Sequence, residues 1–114
     1  LDCPLDEIDG FVQGRSPVDI TSMCTVFAES EIISLLAESK ERGDIALGVI
    51  RSICRRTALF ALKLRPQGDL FFSGRFEVFR RTLEEFVELP VHTHAQSQFA
   101  GAIGAAIIGY RKMA

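Results

Sequence analysis

Cysteine is scarce in this chain, and it has neither a long apolar run nor a block of charge of one sign. The three cysteines, Cys3, Cys24 and Cys54, are an odd number at wide spacing and form no Cys-x-x-Cys pair. That argues against a disulfide framework and for a reducing, cytoplasmic setting. No stretch reaches the roughly 18–20 apolar residues that a membrane span needs. The longest candidate, Phe99 to Tyr110, is shorter and rich in Gly and Ala. Formal net charge is -2, and no run of Lys and Arg is long enough to suggest a nucleic-acid tail. The acidic, polar start LDCPLDEIDG does not read as a secretory signal. The expectation is therefore a protein with neither nucleic acid nor membrane as partner.

What is present is globular material: 114 residues, 47% hydrophobic and 25% charged, enough for one domain with a limited core. The absence of Met at position 1 reads as the mark of a fragment or processed piece. Residues 1–20 read as a connector from a missing N-terminal half, broken at Gly14 to Pro17. Residues 21–114 read as the folded part. Helical periodicity predicts a helix from Thr25 to Arg42, with Gly43 as its C-cap and Asp44 as the N-cap of the next. That next helix runs from Ile45 to Leu64, with Ile53, Phe60 and Leu64 among its inward residues. Asp69 to Phe72 suits a buried strand, Glu77 to Val87 a third helix, Val91 to Thr93 a second strand and Gln98 to Arg111 a last helix. Gly101, Gly104 and Ala105 would let a neighbour approach that last helix closely. The alternation of elements predicts α/β layers.

Several residues stand out chemically. Cys24 lies where an apolar segment becomes a helix start, a place whose unpaired N–H groups and positive dipole favour a thiolate. Spacing alone favours a cysteine buried between Met23 and Val26. One thiolate cannot hold an iron–sulfur cluster, which takes four, although a symmetric partner can add others. Glu29 and Glu31 read as first-turn carboxylates of the same helix, and Cys54, one turn from Ile50 and Ala58, as core filler. Arg55-Arg56 and Arg80-Arg81 read as solvated helix faces. His92 and His94 form an H-x-H pair on one strand face, either a solvent-facing pair or half of a zinc site lacking its other ligands. LFFSG reads as a strand turning through a Gly loop toward a helix, a geometry that often cradles nucleotides, although a lone Ser-Gly is more often an ordinary turn.

Three stretches together resemble one family. CTVFAESEIISLLAE followed by GDIALGVIRSICRRTA is similar to the activator component of 2-hydroxyacyl-CoA dehydratases and to the ATP-binding subunits of benzoyl-CoA reductases. FFSG and then LPVHTHAQSQFAGAIGAAIIGYRK resemble the C-terminal end of this BadF/BadG/BcrA/BcrD type of ATPase. The resemblance implies a partial acetate-kinase/actin-like fold and residues 21–114 as its C-terminal subdomain. It implies ATP-driven electron transfer, with ATP/ADP and Mg, through a [4Fe-4S] cluster bridging two copies or homologous subunits. The electron would go to an acyl-CoA dehydratase or reductase component. It makes Cys24 a cluster ligand and places Ser73, Gly74 and Gly101 on the nucleotide side.

The family's second ligand cysteine and its two Asp-Ile-Gly phosphate loops lie upstream of the resembling segments and are not in this chain. Its adenosine-side loop is Thr/Ser-Gly-Gly, where this chain has Ser73-Gly74-Arg75-Phe76. Two rival expectations stand beside it: a degenerate module that only dimerises or docks, and a sugar-kinase-like phosphotransferase of the same superfold.

Overall fold

A computed structural model describes residues 3–20 and 25–113, with the side chains at 25–27 outside the description. A 3-10 turn, Leu5–Glu7, leads into α1, Ile8–Val12. Then come α2, Thr25–Ala37, and the long α3, Arg42–Lys63. The remaining elements are β1, Leu70–Phe71; α4, Glu77–Val87; β2, Val91–His92; a 3-10 turn, Ser97–Phe99; and α5, Ala100–Met113. No described helix is long and apolar enough to cross a membrane.

α3 is the spine of the core because its small and apolar residues recur at helical spacing. Ala46, Ile50, Cys54 and Ala58, four apart, are at most 3% exposed and so form one buried stripe. At one end Ala46, Ile50 and Cys54 meet Val12 of α1 and Val78 of α4, with Phe11, Phe76 and Phe79 packed around them. At the other end Ala58 meets Val87 and Val91, with Leu70 and Phe72 alongside. The stretch expected to be a connector thus contains a helix, and Val12 of that helix is in the core. Beyond Ala58 the α3 surface opens: Phe60 is 68% and Leu64 84% exposed, so neither is the inward residue the periodicity predicts.

The junction of α2 and α3 also departs from expectation. α2 ends at Ala37, and Ser39 takes the left-handed conformation (φ 62°). Ser39 N–H donates to Leu36 C=O at 3.0 Å and Lys40 N–H to Leu35 C=O at 3.1 Å, a Schellman closure with serine where glycine is usual. Gly43 is therefore no cap. It lies in the first turn of α3, where a Cβ would stand 2.7 Å from Nε of Arg15. Asp44, also inside the helix, accepts Ser16 N–H at 3.2 Å and so anchors the preceding loop. Glu29 and Glu31 lie beyond the first turn of α2, which holds no acidic residue, so the dipole argument does not apply to them.

β1 and β2 pair in parallel, Leu70 with Val91 and Phe71 with His92, joined by α4 as the crossover. The α4–β2 turn is locked by two α4 side chains. Arg80 Nη1 donates to Val91 C=O and Glu84 Oε2 accepts Val91 N–H, both at 2.9 Å. Arg80 also pairs with Glu77, and its side chain is only 21% exposed. It is a structural clamp and not part of a solvated face.

Candidate functional site

The strand–loop–helix expected around LFFSG is present: β1 runs through Phe72-Ser73-Gly74-Arg75-Phe76 into α4. Ser73 is exposed, and the Phe72 ring lies so close over Gly74 that a Cβ there would overlap it. Only glycine permits this contact. The N-terminus of α4, the natural anion seat of such a motif, is already filled from within the chain. Asp9 accepts Glu77 N–H at 3.2 Å and Val78 N–H at 2.9 Å. A second acidic residue, Asp6, holds Arg75 at 2.6 Å. A phosphate has no free helix terminus here, so the loop can offer a nucleotide its Ser73 hydroxyl and backbone but not an oxyanion seat.

Gly101 lies in α5, exposed, and neither it nor Gly104 has an atom within 4 Å of a built Cβ. The close approach expected of them is not made among the described residues. Cys24 lies outside the described residues, but α2 begins at Thr25, directly after it. Cys54 is 1% exposed with Sγ 3.8 Å from Phe79 C=O, and burial pushes its thiol up to about 11 although Arg51 opposes the shift. It is a protonated core side chain, as its spacing predicts. Cys3 Sγ donates to Pro4 C=O at 3.4 Å. No three His, Cys, Asp or Glu among the described residues come together to hold a metal.

The histidines separate. His92 is in β2, its Nε2 2.8 Å from Asp69 and its ring 6.0 Å from Phe71. His94 lies past the strand end, where its Nδ1 accepts Gln96 N–H at 3.1 Å. They do not share a strand face, because pairing with β1 stops at His92.

A cleft of about 650 Å³ lies between Pro17–Ile20 and the Arg51, Ser52 and Arg55 side of α3. Gly48 makes it possible: Val18 C=O presses onto α3 where any Cβ would collide. Arg51 forms a two-pronged pair with Glu85 at 3.1 and 3.4 Å and lies 5.0 Å over the Phe86 ring, tying α3 to α4. The sequence signal for this cleft was the Gly48–Arg51–Arg55 spacing, which reads as an ordinary helix face until the 17–20 segment is placed against it.

The family model for the BadF/BadG/BcrA/BcrD ATPases matches residues 1–109. The Escherichia coli (strain K12) protein YjiL is 43% identical over 114 residues, 97% of this chain and 45% of that protein. The (R)-2-hydroxyglutaryl-CoA dehydratase activating ATPase of Acidaminococcus fermentans is 38% identical over 101 residues, 85% of this chain and 38% of that protein. A solved activator of the 2-hydroxyisocaproyl-CoA dehydratase from Clostridium difficile, with bound ADPNP, superposes with a TM-score of 0.87. It is 26% identical, over 97% of this chain and 43% of that one. The chain thus spans less than half the length of the relatives it matches, and its α/β fold is part of the actin-like fold of activator ATPases. With residues 1–109 matched and the fold shared over nearly the whole chain, it belongs to the BadF/BadG/BcrA/BcrD ATPase family.

Proposed function

We propose that the chain is the C-terminal part of an ATP-dependent activator that delivers electrons to a 2-hydroxyacyl-CoA dehydratase or benzoyl-CoA reductase component. The observation that carries this reading is the superposition, at a TM-score of 0.87 over 97% of the chain, on a dehydratase activator holding ADPNP. The chain's thiol inventory agrees. Cys54 is protonated in the core and Cys3 lies outside the family's ligand segment, which leaves Cys24, and the start of α2 beside it favours a thiolate. A [4Fe-4S] cluster, when bound between two copies, supplies the one-electron carrier. Cys24 would contribute one thiolate from each copy, and two further ligands would be needed to complete the four. The Ser73-Gly74 turn offers a polar edge to the nucleoside side of ATP, and the phosphates with Mg lie elsewhere, since Asp9 fills the end of α4.

The test is MgATP-dependent reduction of the Acidaminococcus fermentans dehydratase component by the complete protein, supplied with a chemical reductant. Electron transfer that requires ATP supports the reading; ATP turnover with no iron taken up sinks it.

A second reading, a docking module that binds no nucleotide, is favoured by Phe72 lying over Gly74. Calorimetry with ADP separates the two: measurable heat of binding at the Ser73-Gly74 loop, lost in Ser73→Ala, removes the docking-only reading.

A further inference from the structure

The cleft between residues 17–20 and α3 is strongly basic. Arg51, Arg55 and Arg56 line it against a single acid, Asp19. From Ile45 to Lys63, α3 holds no Asp or Glu that could offset them. Arg51 is committed, with both prongs on Glu85 and its plane over the Phe86 ring. Arg55 is not. Its side chain is exposed and makes no ion pair, hydrogen bond or ring contact with any described residue. A guanidinium left open on the wall of a cleft suits a carboxylate, which it grips with two parallel N–H donors.

Beside that cation the wall is apolar. Leu59, one turn on from Arg55, also lines the cleft and is 55% exposed, and Phe86 lines it from α4. An open leucine next to an unpaired arginine has the composition of an interface, where apolar contact supplies area and the arginine an anchor.

The cleft also lies near the proposed iron ligand. Ile20 lines it, and Cys24 follows four residues later, at most about 14 Å along a fully extended chain. An electron passes only between centres held close together. An acceptor served from Cys24 therefore has to sit against this part of the molecule.

We propose that this cleft docks the electron-accepting component, which presents a carboxylate to Arg55 and an apolar side chain to Leu59 and Phe86. The proposal rests on the activator reading above and adds to it the contact surface and its chemistry. Charge favours this occupant over a second copy. Two copies meeting symmetrically at the cleft would set arginine against arginine, which opposes association.

The test is binding of the complete protein to the Acidaminococcus fermentans dehydratase component, followed by biolayer interferometry at low and high salt. Arg55→Glu is expected to weaken binding at least about tenfold at low salt, chiefly through slower association, and less at high salt. Arg55→Lys keeps the charge and recovers part of the loss, since one ammonium cannot reproduce the fork. Leu59→Ala weakens binding by speeding dissociation, with the salt dependence kept. Arg65→Glu makes the same charge change beyond the end of α3 and away from the cleft, and leaves binding as it is. Thermal unfolding of Arg55→Glu at the native midpoint shows that the loss is one of docking. Native binding undiminished in Arg55→Glu overturns the proposal alone. A lowered unfolding midpoint with binding intact does so too, and assigns the cleft to the protein's own polypeptide. A native protein that does not bind the component overturns the proposal and the activator reading together.

Discussion

Burial sets the chemistry of Cys54. Around Cys54 the stripe of Ile50 and Ala58 leaves the thiol 1% exposed, so the folded state holds it protonated up to about 11. An unfolded thiol ionises near 9. The stability that this difference contributes is complete below pH 9 and drains away as pH rises toward 11. Urea unfolding at stepped pH checks it. Cys54→Ala is about 1–2 kcal/mol less stable at neutral pH from the lost methylene-sized volume, and it loses less than the native chain between pH 9 and pH 11. Equal losses in both contradict the account. This residue was legible in the sequence because its spacing fixes its neighbours. Arg80 was not: two adjacent arginines look alike in sequence, and only the fold brings one of them to Val91 C=O.

Among the elements, α4 depends on a residue far away in sequence. Asp9 caps its N-terminus from α1, which joins the two ends of the first core cluster. Asp9→Ala uncaps the helix and costs about 1–2 kcal/mol, with Asp9→Asn recovering most of it, as measured by chemical denaturation. A loss confined to a few tenths in Asp9→Ala removes the cap from the account. Gly48→Ala forces Val18 C=O off α3. The expected cost is about 2–4 kcal/mol, with faster hydrogen exchange at Val18, whose N–H donates to Asp44 C=O at 3.1 Å. A variant with native stability and exchange means the segment does not rest on the helix. Helix positions were legible here because apolar residues recur every three or four positions. Their ends were not, since Ser39 closes α2 in a conformation usually given to glycine and the true glycine, Gly43, makes room for Arg15. The cap from Asp9 is tertiary and no local window contains both partners, whereas the clamp on Val91 joins near neighbours in sequence through a turn whose geometry only the fold sets.

For the whole molecule, the family was legible in three stretches because their residue types are specific in order, above all around Cys24. The exposure of Phe71 on β1 and of Tyr110 on α5 was not, because it exists only once the chain is folded. The central proposal is that Cys24 binds iron while the buried, protonated Cys54 does not. The complete protein is reconstituted anaerobically with iron and sulfide, and the visible absorbance is compared between the native form, Cys24→Ala and Cys54→Ala. The account predicts that the brown chromophore is lost in Cys24→Ala and kept in Cys54→Ala. An undiminished chromophore in Cys24→Ala contradicts it.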